Sequence, residues 1–196
     1  MFASGGHAEH IPGVTYPFGV SPLMPATESM EKLTDRFGEM EILTQSEYGT
    51  YYYANLGDFE IFGMTADSVT IYVNAQTDAL SSVWFKLSGQ SPDDIPAVYE
   101  KAVDMYGDTI RYWQDVPDYD FNGEIIAHSP DYLIQQAVSA IGTENTYSFS
   151  VIWITKQADY IPCFLLRVSC GGQHGIEADL IWTTIPPEEY EEYMQR

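Results

Sequence analysis

Positive charge is what this chain has least of. Eight Lys and Arg stand against 29 Asp and Glu in 196 residues, a net charge of −21. So acidic a surface repels the phosphate backbone of nucleic acid and anionic lipid alike, which excludes both as expected partners. Basic proteins, cations and neutral ligands remain. Dense carboxylate runs are missing too. The one tight cluster is Glu188-Glu189 with Glu191-Glu192, so a solvated acidic surface is the expectation rather than mimicry of DNA.

Cysteine is equally scarce. Cys163 and Cys170 lie on one expected strand, where seven steps at ~3.3 Å separate them by roughly 23 Å, beyond disulfide reach. They read as two small buried hydrophobes and leave the compartment open. No window approaches ~18 consecutive apolar residues, so no membrane span is expected. The N-terminus lacks a basic-then-apolar signal, and Met1-Phe2-Ala3-Ser4-Gly5-Gly6 reads as a flexible leader. An intracellular protein and an exported one stripped of its signal share that pattern.

Catalytic and cofactor motifs are also lacking. Gly171-Gly172-Gln173-His174-Gly175 has neither the lysine nor the following helix of a phosphate-binding loop. There is no nucleophile elbow and no zinc signature. His7 and His10, spaced i,i+3, lie in the leader, where an ordinary polar segment is the simpler reading. Cys170, His174 and Asp179 form a conceivable thiol triad, but the glycines between them read as a hairpin loop. Asp118, Asp120, Asn122 and Glu124 resemble part of a calcium loop without its glycine at position six or its closing glutamate. With so many carboxylates, no glycosidase-type pair stands out. The expectation is a non-enzymatic protein with no cofactor and no metal.

What is present suits a packed core: 45% of residues are hydrophobic and only 19% charged. Residues 1–25, rich in Gly and Pro, read as a flexible leader or extended arm. A helix follows, with Thr27 as N-cap, Met30, Leu33 and Phe37 on one stripe, and Gly38 as its stop. Strands are expected at about 40–46, 50–55, 59–64, 68–74 and 82–88, with turns at Leu56-Gly57-Asp58 and Ala66-Asp67. Ser91-Pro92-Asp93-Asp94 opens a second helix through a capping box, and Gly107 closes it. Ser129-Pro130-Asp131 opens a third, stopped by Gly142. Strands at about 146–155, 161–169 and 177–184 precede Pro186-Pro187-Glu188-Glu189, the start of a short acidic helix.

A faint repeat organises these elements. Glu31–Glu39 returns as Glu100–Asp108, a shift of 100 − 31 = 69 residues. Ile71-Tyr72-Val73 returns as Ile152-Trp153-Ile154, and Phe85-Lys86-Leu87-Ser88 as Leu166-Arg167-Val168-Ser169, a shift of 152 − 71 = 81. The expected fold is therefore α+β: two tandem helix-plus-antiparallel-meander units with the helices packed on one face of the sheets. The first unit covers 26–90 and the second 91–185 with an inserted helix at 129–141; 186–196 is an acidic C-terminal helix.

Strand periodicity then divides the residues between two faces. Val69, Ile71, Val73, Val83, Phe85 and Leu87 are expected under the helices, together with Ile152, Ile154, Leu166 and Val168. The opposite face carries Tyr72, Trp84 and Lys86 in one copy and Trp153 and Arg167 in the other, with Tyr51 and Tyr53 extending the patch. Aromatics and arginine are enriched at binding hot spots. Half-exposed sheet surface is also rich in Tyr, Trp and Thr for reasons of propensity alone, so both readings stand.

A helix ending in Phe37-Gly38 or Tyr106-Gly107, followed by a meander and then doubled, resembles the β-lactamase-inhibitory-protein-like architecture. The single unit is similar to small outer-membrane assembly lipoproteins. The resemblance implies a concave aromatic surface that grips a protein partner without catalysis. Trp182-Thr183-Thr184-Ile185-Pro186 and the acidic tail are similar to the ends of bacterial suppressor-of-fused-like domains, again implying protein interaction. The expected function is an exported or envelope-associated binding protein using Tyr51, Tyr53, Tyr72, Trp84, Lys86, Trp153 and Arg167. The alternative is an intracellular acidic inhibitor or immunity-type protein that neutralises a basic partner.

Overall fold

The computed structural model describes residues 14–89, 91–107, 111–114, 121–122, 126, 128–155, 161–171 and 175–190. The elements run α1 (Ala26–Phe37), β1 (Glu41–Gln45), β2 (Gly49–Ile61), β3 (Met64–Asn74), β4 (Ala79–Gly89), α2 (Asp94–Tyr106), β5 (Arg111–Gln114), α3 (Pro130–Ala140), β6 (Thr146–Ile154), β7 (Ile161–Gly171) and β8 (Gly175–Ile185). A single 3-10 turn at Pro187–Glu189 follows, and the rest of the expected C-terminal helix lies outside the described residues.

The fold is α+β. All eight strands join one antiparallel sheet in the order β1-β2-β3-β4-β8-β7-β6-β5. Consecutive strands pair from β1 to β4 and from β6 to β8, and β5 pairs with β6 across the intervening α3. The two sets join where β4 pairs with β8, from Val83↔Trp182 to Gly89↔Ile176. Strand β5 was not among the sequence expectations.

The helix boundaries follow from local chemistry. Both α1 and α2 stop at a glycine in the left-handed region, Gly38 (φ 83°) and Gly107 (φ 80°), whose N–H groups donate to Thr34 O and Val103 O. At the start of α2 the Ser91 N–H donates to Asp94 Oδ2 at 2.8 Å and the Asp93 N–H to Ser91 Oγ at 3.3 Å, a local reciprocal cap. Ser129 caps α3 by accepting from the Tyr132 N–H. Helix α1 differs from expectation. It begins at Ala26 without a side-chain cap, because the Ala26 N–H donates to Asp78 O and Pro25 bridges to Ala79.

Two expected turns are instead β-bulges. The β2–β3 register shifts between Asn55 and Phe59, around Gly57 (φ 62°), and the β3–β4 register shifts between Ala66 and Ser68. The reversal itself is Phe62-Gly63, with φ of 55° and 81°, between the paired Ile61 and Met64. Two central residues at positive φ give the twist that hairpin strands require.

One buried cluster unites Leu33 of α1, Val98 and Ala102 of α2 and Leu133 and Ala137 of α3 with alternate strand residues such as Ile71, Phe85, Phe164 and Leu180. As expected, Val69, Ile71, Val73, Val83, Phe85, Leu87, Leu166 and Val168 belong to it.

On β6 the expected faces are exchanged: Phe149, Val151 and Trp153 join the main cluster, while Ile152 and Ile154 sit with Ile161, Cys163 and Ile185 in a smaller one. Val151-Ile152-Trp153-Ile154 is apolar and buried at every position, so alternation does not fix which side faces the helices. Ile71-Tyr72-Val73 lies on the third strand from its edge, and Ile152-Trp153-Ile154 on the second strand from the other, so the two stretches do not occupy matching places.

The arm expected at 1–25 is also different where it is described. Val14, Tyr16 and Val20 are buried in the main core. The Val14 N–H donates to Thr155 Oγ1 at 2.7 Å, and the Tyr16 hydroxyl donates to Ser81 O at 2.7 Å. The Tyr106 hydroxyl donates to Thr15 O while accepting from Trp182 Nε1 at 2.7 Å. Gly and Pro rule out regular structure in this segment but leave its apolar side chains free to pack.

Candidate functional site

The seven residues singled out by sequence fall into three groups. Tyr51, Tyr53 and Tyr72 lie together on β2 and β3. Trp84, Lys86 and Arg167 lie at the middle of the sheet. Trp153 belongs with neither.

Trp153 is 1% exposed. Its ring packs 5.4 Å from Phe164, and its indole N–H donates to Gly107 O at 2.9 Å, satisfying a carbonyl at the end of α2. It is a core residue rather than an outward-facing partner of Tyr72. Strands covered on both faces lose clean alternation, and Val151-Ile152-Trp153-Ile154 is apolar at every position.

Tyr51 and Tyr72 are cross-strand partners, and their rings stack at 4.5 Å with an interplanar angle of 23°. The Tyr72 hydroxyl donates to Tyr48 O at 2.8 Å, and the Tyr53 hydroxyl to Asn55 Oδ1 at 2.7 Å. Gly49 makes this arrangement possible: a Cβ there would collide with the Tyr72 ring and the Val73 carbonyl. An aromatic ring laid over a strand glycine covers backbone that would otherwise be bare. Burial raises the Tyr72 phenol above its ordinary pKa, with the Tyr51 phenol adding to the effect. Tyr51 remains 39% exposed.

The central group is built on cross-strand register. Lys86 of β4 stands opposite Asp179 of β8, which stands opposite Arg167 of β7. Trp84, 40% exposed, donates to the Asp179 carboxylate although its own cross-strand partner is Ile181. Lys86 reaches Glu177 Oε1 at 3.2 Å. Both side chains thus lean two residues along β8 in the same direction. The hydrogen bond and charge of Glu177 raise the Lys86 pKa. Asp179 is also raised: burial disfavours its charge, and the Trp84 bond and the Arg167 and Lys86 charges only partly offset that. Two cations meet three carboxylates here, since Asp67 also acts on Lys86, so most of the charge is offset within a strongly acidic molecule.

Sequence reasoning missed Asp179 and Glu177 as members of this group. The available signal was period-2 alternation: on Ile176–Trp182 the acids occupy the positions between the buried Ile176, Ala178, Leu180 and Trp182. The conceivable thiol triad does not assemble among the described residues. Cys170 is buried in the main cluster with Leu166 and Val168, whereas Asp179 pairs with Arg167 on the alternate positions, and His174 lies outside the described residues. Burial pushes both the Cys163 and Cys170 thiols up to about 12, away from reactivity.

Asp118, Asp120 and Glu124 of the calcium-like segment, and His7 and His10, also lie outside the described residues. Among the described residues no group of three or more His, Cys, Asp and Glu is placed to hold a metal, and no helix is long and apolar enough to cross a membrane. Comparison with protein-family models, with curated proteins and with solved structures finds no match.

Proposed function

We propose that this protein is a non-enzymatic module that binds another protein through the aromatic face of its sheet around Tyr51, Tyr53, Tyr72 and Trp84, flanked by Lys86 and Arg167. We read the fold as two tandem helix-plus-meander units whose helices cover the other face. Support for the doubling comes from the symmetric strand order and from the matched glycine stops of α1 and α2. The single observation that carries the binding reading is the pair Tyr51 and Trp84, each about two-fifths exposed beside fixed partners. Aromatic area already held in place binds at a low entropic cost.

The test captures the natural partner with immobilised wild-type protein and measures its affinity for a Tyr51→Ala, Tyr72→Ala, Trp84→Ala variant. A loss of at least ~2 kcal/mol in binding is expected, about 30-fold, with cooperative unfolding retained. Unchanged affinity in the folded variant refutes the aromatic face.

The net charge of −21 favours a second reading, an inhibitor that holds a basic partner through its carboxylates. Ionic strength separates the two: a carboxylate-driven complex weakens steeply with salt, and an aromatic-driven one does not.

A further inference from the structure

Strand β1 ends the sheet, and every one of its residues is exposed. Among the described residues nothing pairs with its outer side. Protected edges carry lysine, proline or a bulge; Glu41-Ile42-Leu43-Thr44-Gln45 has neither lysine nor proline, and its register with β2 shifts between Ile42 and Thr44. Ile42 is 58% exposed, Leu43 62%, and Tyr48, in the turn beyond, 63%. Register places Glu41 beside Tyr53 and Thr44 beside Tyr51, while Ile42 stands beside Tyr52. One side of β1 is therefore continuous with the aromatic patch, its other side presents Ile42 and Gln45, and the exposed Leu43 falls at the register shift between them.

Charge identifies what fits there. Between Arg36 and Lys86 the chain has no Lys, Arg or His, yet it contains Glu39, Glu41, Glu47, Asp58 and Glu60. A second copy of this chain paired edge to edge would bring acidic rims together. An incoming strand with cations on one side and apolar residues on the other would set its cations against Glu41 and the Tyr51–Tyr53 rings, and its apolar residues against Ile42.

We propose that β1 is a docking edge for an extended segment of a partner protein with alternating basic and apolar residues, added as a ninth strand of the sheet. The proposal deepens the binding reading above and rests on it.

The test uses the full chain and a synthetic peptide of alternating Lys and Val. Two derivatives are N-methylated on all Lys or all Val amides, and a Glu-Val peptide serves as the acidic control. Successive strand N–H groups point to opposite edges, so methylating one set blocks pairing and methylating the other does not. Expected are slowed amide exchange across Glu41–Gln45 on binding, a loss of about tenfold or more for one methylated peptide only, and no binding of the Glu-Val peptide. Replacing Ile42→Lys together with Leu43→Lys should weaken binding about tenfold without altering the thermal midpoint.

Equal binding by both methylated peptides, absence of protection at β1, or self-association of the protein through β1 overturns the docking edge. If binding then still depends on Tyr51, Tyr72 and Trp84, the aromatic face survives and only the edge falls. If binding depends on neither, both readings fall.

Discussion

Asp179 carries its charge where water is partly excluded, and its neighbours do not fully compensate. Burial is the largest influence on it and raises its pKa, against the opposing effects of Trp84, Arg167 and Lys86. A carboxylate whose pKa is raised by folding binds its proton more readily in the folded chain than in the unfolded one. Its contribution to stability is therefore full below the ordinary value near ~4 and is lost as pH rises through the raised folded value.

Asp179→Asn removes that titration while keeping the shape and an acceptor for Trp84. We expect the wild-type advantage over the Asn variant, read from urea unfolding at a series of pH values, to shrink as pH climbs out of the carboxylate range. A difference independent of pH, or one that grows with pH, contradicts the assignment. Comparing the two proteins cancels the other carboxylates, which titrate in both.

This residue also shows what a single sequence conceals. Lys86 and Arg167 were legible as rare cations on outward strand positions, but the acid between them is fixed by pairing across β4, β8 and β7. No local pattern encodes the pairing of Lys86 with a residue 179 − 86 = 93 positions away. Trp153 failed for a different reason: on a strand with apolar residues on both faces, period 2 does not tell in from out.

At the scale of elements, helix stops and caps set by short-range chemistry were readable, as Gly38, Gly107, Ser129 and the Ser91–Asp94 pair illustrate. The start of α1, held by pairing with Asp78 and Ala79 rather than by Thr27, was not. Strand reversals were readable between β1 and β2 and between β3 and β4, but not between β2 and β3. Glycine and aspartate mark places where backbone departs from regularity, and pairing decides whether the departure is a turn or a bulge. Gly57 and Asp67 became bulges, and the reversal fell to Phe62-Gly63.

Phenylalanine is a poor choice for the left-handed region, and its packing explains why it is there. The Phe62 ring lies 5.7 Å from Phe164 and 6.0 Å from Trp182, so a turn from the first meander is anchored on the aromatics of the second. Phe62→Asn supplies a residue better suited to the turn but deletes those contacts. Because the ring is partly buried, the packing loss should win, with a net destabilisation of roughly 1–3 kcal/mol in denaturant titration. An Asn variant as stable as wild type, or more so, shows that turn strain outweighs the ring contacts.

For the molecule as a whole, the symmetric strand order raises the question of whether each meander stands alone. The contacts across the middle argue that it does not. Strand β4 offers Val83, Phe85 and Leu87, all fully buried, and an isolated first half would bare its edge along Val83–Gly89, which pairs with β8 in the intact chain. Phe85 packs edge-on against Trp182 at 5.9 Å. The N-terminal segment crosses the same divide, with Val14 tied to Thr155 beyond β6 and Tyr16 to Ser81 in β4. Removing either half strips apolar cover from the other, and a large share of a small domain's marginal stability resides in such cover.

We therefore expect fragments 1–90 and 91–196, prepared separately, to lack cooperative thermal unfolding, and their mixture to recover it together with the dispersed amide spectrum of the intact chain. A first fragment that unfolds cooperatively by itself would show that the central β4–β8 pairing joins two self-sufficient domains. It would also free each half to engage a partner independently, rather than as parts of one continuous surface.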